Sequence, residues 1–242
     1  MRGLLMVEPL YHQTVAGLKT QTRRDGGLDE VNGRGASKTK PAIETDPDEW
    51  LIDEVDTGAA IPWVSFNGEN TGDPKPIISV TFRKKNTHLN WPPVCKPRYK
   101  VGEVLFIKEP TWTGEVVKGN GEVTLYKYDD QSEYLGKILK WGNKMFMPAS
   151  LAREYVKITG IKCERLLDIS DDDAVSEGIE KLEGTDLWKY YKKIHDNCNG
   201  TPSPRRSFFT LFTFANKIKD SDAMPNPWVW VYSFEYLKNY KA

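Results

Sequence analysis

Cysteine and histidine are scarce in this sequence, three of each among 242 residues, and each scarcity removes a class of chemistry. Cys95, Cys163 and Cys198 are an odd, widely spaced set with no CxxC pair. That argues against a disulfide framework or a zinc knuckle and for reduced thiols in a cytosol. His12, His88 and His195 are scattered without metal-ligand spacing, so neither a metal centre nor any other cofactor is expected. The GxGxxG, P-loop, HExxH and GxSxG signatures are all absent. No stretch approaches the roughly 20 apolar residues of a membrane span. The short apolar run from Met1 to Met6 ends at Glu8 and does not make a signal peptide. A soluble, cytoplasmic protein with no membrane partner is the expectation. Net charge is missing too: 34 basic and 34 acidic residues cancel, which excludes the overall electrostatic footprint of a DNA-coating protein.

What is present is apolar and aromatic. Hydrophobic residues make up 39% of the chain and aromatics 12%, enough for a real core with rings to spare. Charge is uneven along the chain. Arg83 to Lys100 holds six Lys or Arg and no acid, with His88, Trp91 and Tyr99 among them, which suits a phosphate-and-base surface. Asp25 to Asp56 holds ten acids against three bases and reads as a solvated face.

Leu4 to Val7 reads as a short buried strand, and Glu8 to Ala16 as a helix stopped at Gly17. Residues 25–76, rich in Gly, Asp, Asn and Pro, read as an insertion that holds a helix near Asp48 to Val55. Strands are expected over 77–82, 104–109, 123–128 and 155–163, with a closing strand from Trp228 to Tyr236 that alternates between two faces. Ser170 caps a helix that runs to about Gly178. Leu187 to Ile194 and Ser207 to Ile218 read as amphipathic helices in a second insertion, about 181–225. The expected fold class is α+β: a single domain over 1–242 built on a small closed β-barrel, with flanking helices and large loop and helical insertions.

The densest chemistry is Gly17-Leu18-Lys19-Thr20-Gln21-Thr22-Arg23-Arg24. Paired guanidiniums suit phosphate because each fork donates two hydrogen bonds at once. A Thr hydroxyl becomes a nucleophile when a base takes its proton, and a desolvated Lys can be that base. In a regular strand, however, Lys19 and Thr22 would face opposite ways, so their cooperation needs a bulge or turn. An exposed basic strand with nothing bound is the simpler alternative. Glu177, just past the helix begun at Ser170, is either an acid-base group or a surface carboxylate of the last turn.

Several segments in order resemble the ASCH superfamily, in the longer form met in bacteriophages and their hosts. They are residues 16–24 and 99–109, Met147-Pro148 with Arg153, 167–170 leading to Ala174-Val175-Ser176-Glu177-Gly178-Ile179, and Asn226-Pro227-Trp228-Val229-Trp230-Val231. Together they touch somewhat under half the chain. The resemblance implies a PUA-like barrel with a basic cleft that recognises RNA or a modified nucleoside. Small bacterial members remove the acetyl group from acetylated cytidine. Their general base, nucleophile and acidic partner match Lys19, Thr22 and Glu177 here, and Thr20, Arg23, Arg24, Lys108, Glu109 and Arg153 would then lie at the substrate. This chain is more than twice their size, so its additions bear on what the cleft accepts. Three functions remain open: an amidohydrolase, an RNA-binding module or ribonuclease, and a phage accessory protein that binds a host protein.

Overall fold

The computed structural model describes residues 1–29, 31–32, 50–56, 77, 79–85, 93–115, 121–129, 139–191, 200–216 and 226–241. In chain order the first elements are β1 (Arg2–Leu5), α1 (Glu8–Val15), β2 (Gln21–Arg24), β3 (Trp50–Asp56), β4 (Ser79–Lys84), β5 (Val94–Cys95) and β6 (Val104–Lys108). There follow β7 (Thr111–Gly114), β8 (Val123–Tyr126), β9 (Tyr155–Arg165), α2 (Asp171–Ser176), β10 (Trp188–Lys189), β11 (Gly200–Thr201), α3 (Pro204–Asn216) and β12 (Trp228–Tyr236). Strands dominate and helices are few, an α+β composition. Among the described residues the strand pairings form open sheets, not a closed barrel. None of the described helices is long and apolar enough to cross a membrane.

The chain divides into two compact units. One holds Met1–Thr20, Val104–Lys157 and Glu235–Ala242; the other holds Gln21–Glu103 and Ile158–Phe234. In the first unit the order is β1-β6-β9. β1 runs parallel to β6 with Leu4 opposite Ile107, and β6 antiparallel to β9 with Leu105 opposite Val156. Those four side chains are buried and form the centre of this unit. Helix α1 turns inward on Tyr11 and Thr14. The Thr14 hydroxyl donates back to Leu10 O at 2.8 Å, as a mid-helix threonine does when its side chain has no water to meet. Gly17, at φ 74°, closes the helix as the sequence anticipates. Leu18 N and Lys19 N then both donate to Gln13 O, at 2.9 and 3.0 Å.

In the second unit the order is β9-β12-β2, and β12 runs antiparallel to β2 with Thr22 opposite Tyr232 and Trp230 opposite Arg24. Exposure of β12 alternates only from Ser233 onward, because Trp228 to Tyr232 are buried on both faces, as an interior strand requires. Asn32 fastens the start of this strand: its Nδ2 donates to Trp228 O at 2.9 Å, and Trp228 N donates to its Oδ1 at 2.7 Å. Asn32→Ala is expected to lower unfolding free energy by about 1–3 kcal/mol, read as a shift in the urea midpoint, because both backbone groups lose a partner in a part-buried place.

Two expected helices are strands. Residues 50–56 form β3, paired antiparallel with β4 so that Ile52 meets Phe82 and Val55 meets Val80. Aromatic and β-branched side chains in cross-strand contact outweigh the run of acids that suggested a helix, and residues 48–49 lie outside the described residues. Within 187–194, Trp188 and Lys189 form β10, paired with Thr201 and Gly200 of β11; residues 192–194 are outside the described set. The reason is a turn: Leu182 N donates to Leu187 O at 2.8 Å, folding the chain back just before the aromatic run. Helix α3 begins three residues earlier than expected, at Pro204, because Ser203 accepts from Arg206 N and Ser207 N and a proline fits the first turn. Residues 217–218 of that expectation also lie outside.

Candidate functional site

Strand β2 is too short to bury much, so its side chains count one by one. Successive residues point to opposite faces. Gln21 and Arg23 therefore share one face, and Thr22 and Arg24 share the other, beside Tyr232 and Trp230 of β12.

On the first face the Arg23 side chain is only 1% exposed and surrounded by carboxylates. Its Nε and Nη2 donate to Glu164 Oε1 at 3.1 and 2.6 Å, its Nη1 to Glu177 Oε1 at 3.0 Å, and Nη2 reaches Asp173 Oδ2 at 3.4 Å. The guanidinium carbon lies 5.7 Å from the Phe208 ring centre. Lys162 joins from β9, 2.9 Å from both Glu164 and Asp173, and Gln21 Nε2 donates to Asp173 Oδ1 at 2.9 Å. Burial pushes the Asp173 carboxyl up, but the hydrogen bonds from Lys162 and Gln21 outweigh it and hold it below the usual range. Burial likewise opposes charge on Lys162, and its bonds to Asp173 and Glu164 win, raising it.

The sequence builds this cluster locally at α2. Ser170 Oγ accepts from Asp173 N at 3.1 Å, as expected of a cap, and Gly178 at φ 85° follows the helix end, leaving Glu177 as its C-cap. A carboxylate there opposes the helix dipole, and Arg23 Nη1 offsets it. Arg23 is thus a structural cation whose fork is already taken by carboxylates, on the face of β2 that also receives Glu177.

On the other face, Thr22 is buried and its hydroxyl has no hydrogen-bond partner among the described residues. Trp230 is fully buried, and its Nε1 is likewise without a hydrogen-bond partner there. Tyr232 accepts from Arg98 N at 2.9 Å and meets the Tyr99 ring edge-on at 5.1 Å; burial pushes its hydroxyl up to about 12. The indole N–H is thus a buried donor without a partner, beside Thr22 and the aromatic rings of this face.

The first unit holds the remaining candidates. Lys19 is 1% exposed and lies between α1 and β2, not within a strand, so the two-residue alternation does not govern its direction. Thr20 is exposed. Lys108 Nζ donates to Met145 O at 2.6 Å. Glu109, wholly buried, is gripped by Arg153, whose Nε and Nη2 donate to its two oxygens at 2.7 and 2.8 Å. Arg153 Nη1 also pairs with Asp129 at 2.6 Å, and its guanidinium stacks 4.1 Å from the Tyr126 ring centre. Burial raises the Glu109 carboxyl, and the Arg153 bonds offset this only in part. Tyr11 and Tyr128, whose ring centres are 4.9 Å apart, are raised by burial and by the Glu109 charge, Tyr128 to about 12.

A carboxyl raised in the folded state binds more protons folded than unfolded, so stability falls as pH rises through that window. Arg153→Met removes the partner that restrains the rise. The variant is expected to lose about 1–3 kcal/mol near neutral pH and to regain much of it near pH 5. Urea midpoints at the two pH values check this.

No family model, curated protein or solved structure matches the chain. The functional reading therefore rests on the geometry and on the resemblance of its motifs.

Several members of these clusters escape sequence reasoning. Glu164 and Lys162 alternate along β9, a spacing that announces a shared face but no partner. Asp173 is explained by the helix start alone, and Asp129 and Tyr126 carry no local signal at all. Trp230 reads as core filler until its N–H is found without a partner.

Proposed function

We propose that this chain recognises RNA or a modified nucleoside in the manner of the ASCH proteins, through the β2–β12 face that carries Thr22, and that it hydrolyses an amide on that nucleoside. The observation that carries the reading is the face that Thr22 and Arg24 of β2 share with Tyr232 and Trp230 of β12, where the buried Trp230 Nε1 has no hydrogen-bond partner among the described residues. A buried polar group without a partner is costly unless a ligand supplies one. Acetylated cytidine is the substrate the resemblance points to. A PUA-like barrel is what the resemblance implies and belongs to the same proposal, whereas the described strands pair as open sheets.

In this reading the Thr22 oxygen attacks the acetamide carbonyl and a base takes its proton, the role the resemblance assigns to Lys19. The tetrahedral adduct collapses, the C–N bond breaks, and the cytidine amine leaves with that proton. Water then cleaves the acetyl ester, releasing acetate and restoring the hydroxyl. Glu177 acts at a remove: through Arg23 it fixes β2 and hence where Thr22 stands.

Recognition without catalysis is the second reading. Its support is the exposed row Lys96, Arg98 and Lys100, a cation at every second position along one segment of the second unit. One experiment separates the two. Purified protein is incubated with acetylcytidine, free and within an RNA oligonucleotide, and cytidine and acetate are measured together with binding. Equimolar cytidine and acetate support the hydrolase. Binding without either product supports the module, and neither result removes both readings.

A further inference from the structure

The chain from Leu139 to Ala152 carries Lys140 and Lys144 and no acid, and its middle does something costly: it holds two large apolar side chains in water. Phe146 is 80% exposed and Met145 56%. An exposed Phe on a slack loop would need no explanation, but this turn is tied down at four points. Asn143 Oδ1 accepts from Met145 N at 3.0 Å, capping a 3-10 turn over Lys144–Phe146. Lys144 Nζ donates to Met6 O, and Lys108 Nζ to Met145 O at 2.6 Å. Met147, next in the chain, is buried and accepts from Glu109 N at 3.2 Å through its sulfur. The Lys108 stem lies flat over Gly3, where a Cβ would come within 2.3 Å of its Cε, so a glycine sets where that ammonium emerges.

The result is a ring held outward beside the Lys108 ammonium, which meets a carbonyl. Lys108 spends one of its three N–H donors on Met145 O and has no carboxylate partner among the described residues. Lys140, nearby in the chain, is exposed and likewise without one there. Two exposed side chains offer roughly 300 Å² at most, well short of the roughly 800 Å² per partner that a stable protein interface buries. A flat face with an unneutralised ammonium beside it, and a second exposed cation six residues earlier in the chain, complements an unstacked base and its phosphates.

We propose that the Asn143–Met147 turn is a stacking post for single-stranded nucleic acid, with a base on the Phe146 ring and backbone phosphates on Lys108 and Lys140. The surface lies wholly within the first unit and stands whether or not Thr22 is a nucleophile. A duplex is a poor ligand because its base faces are already covered.

Fluorescence anisotropy with a labelled twelve-nucleotide oligouridine, its deoxythymidine counterpart and a duplex of equal length tests this on the whole chain. Phe146→Ala should weaken single-strand binding roughly 5- to 150-fold, the range for loss of one stacked base, and Phe146→Trp should restore it. Lys108→Met should reduce the slope of log affinity against log salt by about 0.7, one phosphate contact on a single strand. Neither oligonucleotide carries an acetyl amide, so this binding is read separately from the hydrolase reading. Equal binding by wild type and Phe146→Ala overturns it. So does a concentration-dependent dimer that Phe146→Ala abolishes while oligonucleotide binding stays unchanged, which would make the turn a contact between copies.

Discussion

Thr22→Val is expected to abolish acetylcytidine hydrolysis, a loss on the order of 1,000-fold or more, without unfolding the protein. The two side chains have nearly the same shape and differ by the hydroxyl. Because the hydroxyl makes no hydrogen bond to a described residue, its removal strands no partner there. Replacing a polar group that has no protein partner by an apolar one of the same shape is nearly neutral. The urea midpoint of Thr22→Val should therefore equal or exceed that of the wild type while turnover disappears. Thr22→Ser keeps the nucleophile, loses a buried methyl, and should retain a measurable fraction of turnover at reduced stability. Undiminished turnover in Thr22→Val would falsify the nucleophile assignment outright. A marked loss of stability would mean that the hydroxyl has a structural partner and is not held for a substrate.

What could be read from residues alone divides along a physical line. Signals confined to a few neighbouring residues are legible: the Gly17 stop, the Ser170 cap, and the Trp228–Tyr236 strand all stand where the chain places them. Signals set by distant partners are not. Residues 50–56 carry enough acids to suggest a surface helix, and only the facing Phe82 and Val80 turn them into a strand. Trp188 and Lys189 are extended because β11 lies opposite them, eleven or more residues away in sequence. The pair Arg23-Arg24 shows the same limit at the site. Adjacent guanidiniums suggest one phosphate clamp, yet neighbours on a strand face opposite ways, and Arg23 finds its carboxylates 141 to 154 residues along the chain.

Arg23→Met should be among the most damaging single changes, costing on the order of 3–5 kcal/mol. The methionine fills much of the same space and keeps contact with Phe208, so the loss is mainly electrostatic. It leaves Glu164, Asp173 and Glu177 close together, with Lys162 between Glu164 and Asp173, 46% exposed and too short to replace a three-way fork. The pH response should then invert. In the wild type the lowered Asp173 carboxyl contributes stability above its unfolded range, and that contribution is lost as acid protonates it. In Arg23→Met the crowded carboxylates repel, their folded-state affinity for protons rises, and stability increases as pH falls from 8 towards 5. Arg23→Lys should fall between the two, since one ammonium cannot span Glu164 and Glu177 at once. The competing role for Arg23, a phosphate ligand, makes the opposite forecast. Under it, Arg23→Met would keep its urea midpoint and instead lose RNA affinity together with one phosphate's share of the salt slope. Midpoints at pH 5 and pH 8, measured beside an RNA titration, decide between a cation that holds β2 in place and one that waits for a ligand.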